Sequence, residues 1–253
     1  MGIGKSTAYE KVAGGLRKGA AMRIRQFRYG ADNLGYLLYT EGSALAVDGG
    51  AVEKMCAFIE SQGLTLTHVT NTHGHMDHTC GNSDLVARTG AAFVDSRTLR
   101  EGDKLELDGE TIEVLHTPGH TEDSICFRTD TAIITGDTLF NGTIGNCFSG
   151  NLEAFYRSIK KLIALPDDTV VYAGHDYVRD SLIFARYLEP GNKAIERFLE
   201  RYDPAHVCST MKEERAMNPY LRFNEPSIIA FLEQKGLPVA TELERWNSLM
   251  RIE

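Results

Sequence analysis

Short runs of apolar and β-branched residues, separated by turn residues, fill the first two thirds of the chain. These runs are bounded by Gly, Asp or Asn, a pattern that is typical of strands. The predicted strands are 22–28, 36–40, 44–48, 66–71, 92–95, 111–116, 125–128, 132–135 and 169–173. Two helices interrupt them. Residues 52–62 end at Gly63, as a helix terminus would, and residues 151–165 carry their apolar residues on one face.

Beyond about residue 180 the pattern changes, and it predicts helices only. The predicted helices are 182–188, 193–202, 227–236 and 241–250. A chain of 253 residues is long enough for one large α/β body with a smaller helical part. We therefore predict an α/β body over residues 22–180 and a helical region over residues 181–253. Residues 1–21, rich in Gly and Ala, are predicted to be an N-terminal extension with the composition of a disordered segment.

Five of the eight histidines, together with two aspartates, follow the ends of predicted strands. These seven residues are His73, His75, Asp77, His78, His120, Asp137 and His175. Strand ends followed by loops can aim side chains from distant parts of the chain into one cavity. Imidazole and carboxylate groups suit zinc, iron and manganese. The seven residues therefore predict a metal site.

Seven ligands are enough for two divalent ions. We expect the residues to divide into one set of His73, His75 and His120, a second set of Asp77, His78 and His175, and Asp137 between the two. Two neighbouring cations would hold a water largely as hydroxide and polarise a carbonyl. The prediction is metal-assisted hydrolysis by a metal-bridging hydroxide, with Asp77 and Asp137 as the catalytic carboxylates. Zinc is the first expectation for the ions, with iron and manganese as alternatives.

The composition of the chain argues against nucleic-acid and membrane partners. A formal net charge of -8 and a pI near 5.5 argue against nucleic acid, which usually needs a basic face. No apolar run approaches the roughly 20 residues that span a bilayer, so no membrane partner is expected. Five scattered cysteines favour reduced thiols and a cytoplasmic location. The oligomeric state is not indicated.

Four motifs carry a resemblance to a known family. They are T-H-x-H-x-D-H at residues 72–78, T-P-G-H-T at 117–121, G-D-T-L-F at 136–140 and G-H-D-Y at 174–177. In this combination the chain, from about residue 22 onwards, resembles the metallo-β-lactamase superfamily and within it the glyoxalase II family, the hydroxyacylglutathione hydrolases. The segment N-P-Y-L-R at 218–222 strengthens the similarity.

The resemblance implies a fold and a reaction. The fold is a metallo-β-lactamase αββα sandwich with a dinuclear site at one edge and a C-terminal helical subdomain over it. Residues 22–180 would be the catalytic domain and residues 181–253 the substrate-binding region. The implied substrate is an S-(2-hydroxyacyl)glutathione such as S-D-lactoylglutathione, which is hydrolysed to glutathione and a hydroxy acid.

The substrate-recognition residues match the family only in part. Family members usually carry a basic residue and a tyrosine in the segment that corresponds to residues 143–150. Here Asn146 stands in place of the cation and Phe148 in place of the tyrosine. Tyr177 is retained, and Arg222 is the candidate cation of the helical region, although it could equally be a salt-bridge partner. These four residues are the predicted substrate contacts.

Three alternatives stay open. The first is a mononuclear-iron persulfide dioxygenase of the same superfamily. The G-D-T-L-F motif and the long helical region favour a hydrolase over this alternative. The second is a hydrolase of a non-glutathione thioester or a lactone, which the Asn146 and Phe148 substitutions favour. The third is a non-enzymatic metal-binding module, which is the least expected.

Overall fold

The computed structural model describes residues 22–252, so the predicted extension over residues 1–21 lies outside the described part. The strands are β1 (Arg23–Tyr29), β2 (Asn33–Tyr39), β3 (Ser43–Val47), β4 (Thr65–Thr70), β5 (Ala92–Phe93), β6 (Lys104–Leu107), β7 (Glu110–His116), β8 (Ile125–Arg128), β9 (Ala132–Gly136), β10 (Leu139–Phe140), β11 (Thr143–Ile144), β12 (Val170–Ala173) and β13 (Ser209–Thr210). The helices are α1 (Val52–Gln62), α2 (Met76–Thr79), α3 (Asn82–Thr89), α4 (Leu152–Ile163), α5 (Val178–Leu188), α6 (Lys193–Arg201), α7 (Met211–Met217), α8 (Pro226–Gln234) and α9 (Glu242–Leu249). Short 3₁₀ helices span Ser96–Thr98 and Pro219–Leu221.

The strands form two sheets and a small hairpin. The first sheet has the order β1-β2-β3-β4-β5, and the second has the order β13-β12-β9-β8-β7-β6. Most neighbours are antiparallel, but β4 is parallel to both β3 and β5, and β12 is parallel to β9. The hairpin joins β10 to β11.

Alternation along β2 shows how the sheets stack. Leu34, Tyr36 and Leu38 belong to the apolar core that both sheets share. Leu37 points to the opposite face and packs with Met55 of α1. A strand covered on both faces is apolar throughout, because neither set of side chains meets water. The layers of the fold are therefore stacked in the order helix, sheet, sheet, helix, which confirms the predicted αββα sandwich.

The outer face of the second sheet is covered by α4 and the C-terminal helices. The Asn151 side chain accepts a hydrogen bond from the Ala154 amide and begins α4. The α4 residue Phe155 is buried in the same apolar cluster as Trp246 of α9, with 5.6 Å between the ring centroids. The C-terminal helical subdomain is therefore packed onto the sandwich. The division at residue 180 stays a prediction.

The helix-only prediction beyond residue 180 is wrong in one place. The strand β13 pairs antiparallel with β12 and extends the second sheet by two residues, too few for a period-2 pattern. The predicted end of α1 at Gly63 is confirmed, since Gly63 has the left-handed φ of 65° that closes a helix. No helix within residues 22–252 has the length and apolar character to cross a membrane.

A carboxylate is buried where α7 meets the β10–β11 hairpin. Glu214 is inaccessible to solvent. It accepts hydrogen bonds from the Ser209 hydroxyl at 2.6 Å, the Asn218 amide at 2.8 Å and the Gly142 backbone N–H at 3.1 Å. Burial raises the pKa of Glu214 to about 7, although these donors partly oppose the shift.

This burial predicts a pH dependence of stability. The folded-state pKa of about 7 exceeds the ordinary 4.5, so the folded protein holds the proton more tightly. The contribution is complete below about pH 4.5 and is lost as pH rises towards about 7. In urea titrations, wild type should lose about 2 kcal/mol of unfolding free energy relative to Glu214→Gln between about pH 5 and pH 8. Parallel stability curves for the two proteins would contradict the assignment.

Candidate metal centre

Ring nitrogens and a carboxylate from three loops form the first of two groups. The group consists of His73, His75, His120 and Asp137, which can each offer one atom so that all four atoms lie within 4.8 Å of one another. The His75 Nδ1 atom lies 2.9 Å from His73 Nε2 and 3.1 Å from His120 Nε2. The loop after β4 supplies His73 and His75, and the loop after β7 supplies His120. This group can hold one metal ion.

The second group joins the short helix α2, which follows the β4 loop, to the end of β12. It consists of Asp77, His78 and His175, whose contributing atoms also lie within 4.8 Å of one another. The Nε2 atoms of His78 and His175 are 3.2 Å apart, and Asp77 Oδ2 is 3.6 Å from the first and 3.3 Å from the second. Asp77 is anchored by a 2.8 Å hydrogen bond from Asn33. This group can hold a second ion.

Asp137 connects the two groups. Its Oδ1 lies 3.3 Å from His78 Nε2, and its Oδ2 lies 3.5 Å from both His120 Nε2 and His175 Nε2. The side chain is buried, and Oδ1 has no hydrogen bond of good geometry within residues 22–252. A buried carboxylate oxygen without a donor is costly unless a cation lies beside it.

Carboxylates behind the second group orient its histidines. His78 Nδ1 lies 3.0 Å from Asp48 Oδ2, and His175 Nδ1 lies 2.9 Å from Asp32 Oδ1. A carboxylate can only accept, so each Nδ1 carries a proton, and in its neutral, metal-binding form each ring turns a lone pair inward on Nε2. Two lone pairs 3.2 Å apart repel each other unless a proton or a metal ion lies between them.

The pKa values show that this region attracts positive charge. Burial alone would lower the pKa of His78, but the carboxylates of Asp48 and Asp137 outweigh burial and raise it to about 11. Burial would raise the pKa of Asp137, but the positive charge that the adjacent His78 and His175 rings can carry outweighs burial and keeps the pKa well below its usual range. His73 is the opposite case: burial and the nearby His78 lower its pKa to about 4.

This donor set fits divalent ions. Neutral imidazoles and ionised carboxylates are the required ligand forms, and a metal ion displaces the proton that His78 would otherwise hold. The shared Asp137 suits two ions better than one.

Comparison with known proteins identifies the family. Residues 33–94 and 91–175 match the metallo-beta-lactamase superfamily, and residues 176–249 match the hydroxyacylglutathione hydrolase C-terminus. A hydroxyacylglutathione hydrolase of Polaromonas sp. is 39% identical, with 80% of this chain and 86% of that protein aligned. The chain belongs to the hydroxyacylglutathione hydrolase family of the metallo-beta-lactamase superfamily.

A second relative supports the family assignment, and a solved structure shares the fold. A hydroxyacylglutathione hydrolase of Methylococcus capsulatus is 35% identical over 91% of this chain and 97% of its own length. The crystal structure of ETHE1 from Myxococcus xanthus is 27% identical, with a TM-score of 0.67 over 91% of this chain and 90% of that chain. Both alignments extend over the sandwich and the C-terminal helices.

Three of the four predicted substrate contacts lie beside the histidines of this family member. Phe148 is 67% exposed, and its ring lies edge-on to His75 and His120, with centroids 5.6 and 5.2 Å away. Tyr177 stacks on His175 at 5.0 Å, and burial raises its pKa to about 12, so the phenol keeps its proton. Asn146 is exposed, and its backbone carbonyl lies 2.9 Å from His120 Nδ1.

Arg222 has a different environment. Its guanidinium donates two hydrogen bonds to the buried Glu189, at 2.7 and 3.0 Å, and a third to the Arg215 carbonyl. These contacts tie the 3₁₀ helix Pro219–Leu221 to the end of α5. Of the two roles expected for Arg222, the salt bridge is the one the contacts support, and the substrate role stays a prediction.

Sequence reasoning missed the residues that orient the ligands. Asp32 and Asn33 precede the predicted start of β2, and no motif marks them. Asp48 had a signal that could have found it: it ends a predicted strand next to glycine, and each ligand motif likewise combines a strand end with a glycine. Asp48 also accepts from the backbone N–H and the hydroxyl of Thr72, each at 2.8 Å, and so fixes the start of the ligand loop.

Removing the Asp32 carboxylate tests the orientation of His175. Asp32→Ala should lower the affinity for one of the two ions by about 10-fold or more, because the ring loses the partner that fixes its proton. The change should leave the fold intact, since the Asp32 side chain is 37% exposed. Competition titration with a chelator measures the affinity. The control is Asp108→Ala, which removes a surface carboxylate that is bonded to Thr40 and Ser43. This variant should bind both metal ions with wild-type affinity.

Proposed function

We propose that this chain is a metal-dependent thioester hydrolase that converts an S-(2-hydroxyacyl)glutathione, such as S-D-lactoylglutathione, to glutathione and a hydroxy acid. The observation that carries the proposal is the pair of ligand groups joined by Asp137. The names of the relatives supply the substrate class, since curated proteins aligned over 86% and 97% of their lengths are hydroxyacylglutathione hydrolases.

The residues proposed to hold the ions are the seven predicted from the sequence. His73, His75 and His120 form one set, Asp77, His78 and His175 the other, and Asp137 belongs to both. Two divalent ions bound there would activate a water and polarise the thioester carbonyl. Zinc is the expected metal and the cytoplasm the expected location.

The chain's own groups arrange the reaction. The net reaction adds water across the carbon–sulfur bond, which yields a carboxylic acid and a thiol. The carboxylates of Asp77 and Asp137 are ionised in the folded protein and can draw protons away from an attacking water. Tyr177, a neutral phenol stacked on His175, can donate a hydrogen bond to the substrate. Phe148 offers an apolar face beside His75 and His120 and limits water there.

A substrate panel tests the reaction. The purified protein should hydrolyse S-D-lactoylglutathione, and Asp137→Ala should lower kcat/KM by at least about 100-fold, a loss of about 3 kcal/mol. Asp108→Ala should retain full activity. Release of free thiol measures turnover. If the protein consumes oxygen with glutathione persulfide and releases no thiol from any thioester, it is a persulfide dioxygenase and the hydrolase proposal is wrong. No turnover of any substrate by the metal-loaded protein would indicate a binding module.

Because Asn146 stands where family members usually carry a basic residue, we predict that the glutathione carboxylate is bound weakly. Asn146→Lys should lower KM for S-D-lactoylglutathione by about five-fold, since an exposed ion pair contributes about 1 kcal/mol. KM for the lactoyl thioester of the uncharged thiol N-acetylcysteamine should stay the same. Gln62→Lys adds the same charge on the exposed side of α1 and is the control. If KM for the glutathione thioester is unchanged in Asn146→Lys, glutathione is recognised elsewhere.

A further inference from the structure

The turn between β10 and β11 is held from the C-terminal region. The Gly142 backbone N–H donates to Glu214 Oε2 at 3.1 Å. The Asn218 amide donates to the Thr143 carbonyl at 3.0 Å and to Glu214 Oε2 at 2.8 Å. Glu214 belongs to α7 and Asn218 ends that helix. Two side chains from one short helix therefore bind consecutive backbone groups of the turn.

The same segment leads directly into the metal site. A Cβ atom on Gly145 would lie 2.0 Å from the Asp137 carbonyl oxygen and 2.9 Å from His120 Nδ1, so only glycine allows this approach. The next residue, Asn146, accepts a hydrogen bond through its carbonyl from His120 Nδ1 at 2.9 Å. Because a carbonyl can only accept, Nδ1 keeps its proton and Nε2 presents its lone pair to His75.

The burial of a carboxylate at position 214 requires a physical explanation. Glu214 is fully buried, and its hydrogen-bond partners are the neutral donors of Ser209, Asn218 and Gly142. Burying such a group is costly, and an apolar side chain would dock α7 at lower cost. What an apolar residue lacks is the ability to accept from the Gly142 N–H and the Asn218 amide together. The carboxylate is therefore suited to holding the turn.

We propose that Glu214, with Asn218, is a positioning residue for the metal site: it fixes the β10–β11 turn, so that the Asn146 carbonyl holds His120 in one orientation and one tautomer. The inference rests on the proposed function to the extent that His120 is one of its metal ligands. It gives the C-terminal helices a role in metal binding besides substrate recognition.

A second buried carboxylate supplies the matched control. Glu189, at the end of α5, is 5% exposed and is bound by Arg222 and Ser227. Glu189→Ala removes a carboxylate of similar burial from the same region without touching the turn. Glu214→Gln is the conservative variant, since its carbonyl can accept from Gly142 and Asn218 while its amide donates to Ser209.

The experiment compares Glu214→Ala with Glu214→Gln and Glu189→Ala. The first readout is the ¹⁵N NMR spectrum of the histidine rings in the metal-free proteins at pH 8, which reports the tautomer of His120. The second is the affinity for each of two Zn²⁺ ions. Glu214→Ala should show a mixture of His120 tautomers and about 10-fold or greater loss of affinity for one ion only. Glu214→Gln and Glu189→Ala should behave as wild type.

Two results would overturn the inference. One is a folded Glu214→Ala protein with the wild-type tautomer and both affinities intact, and the other is an equal change in Glu189→Ala. If Glu214→Ala does not fold, Asn218→Ala takes its place, and an unchanged His120 tautomer there overturns the inference as well. The tautomer is measured without metal or substrate. A wild type that hydrolyses no thioester overturns the proposed function alone, whereas thioester hydrolysis with an unchanged tautomer in Glu214→Ala overturns this inference alone.

Discussion

The rest of the site depends on the position of one buried carboxylate, Asp137. Its two oxygens lie within 3.5 Å of ring nitrogens that belong to both ligand groups. Such an arrangement of a buried anion and inward lone pairs is unfavourable by itself, because charge away from water must be compensated nearby. Divalent cations bound there would provide that compensation. The electrostatic requirement of Asp137 therefore explains why the neighbouring imidazoles are neutral or share a proton, and why all face one point.

The sandwich meets this requirement by ending several strands at one edge. The ligand loops follow β4, β7, β9 and β12, which come from both sheets, so only a stacked pair of sheets brings them together. At this edge the Leu34 N–H donates to the Gly174 carbonyl at 2.8 Å and fastens the start of β2 to the end of β12. Rigid strands set the loop ends, and outer groups such as Asp32 and Asp48 set the ring orientations.

The sequence was most informative where chemistry repeats at strand ends. The seven metal-type residues could be named because histidine and aspartate followed four predicted strands, and the structure brings all seven together. The strands of four or more residues were predicted from their alternating or apolar patterns, except β6. Among the two-residue strands, β5 was predicted, whereas β10, β11 and β13 were not, because their pairing is set by tertiary contacts. Asp32 was beyond prediction because its contact with His175 spans 143 positions and no local pattern records it. The role of Glu214 depends likewise on a partner 72 positions away, Gly142.

We propose that Asp137 is shared by two metal ions. The most direct measurement is anomalous diffraction at the metal edge from crystals of the protein purified with its native metal, combined with elemental analysis of the same preparation. We expect two anomalous peaks per chain, one among His73, His75 and His120 and one among Asp77, His78 and His175, with Asp137 in contact with both. A single peak per chain, with full occupancy and no second metal in the elemental analysis, would contradict it.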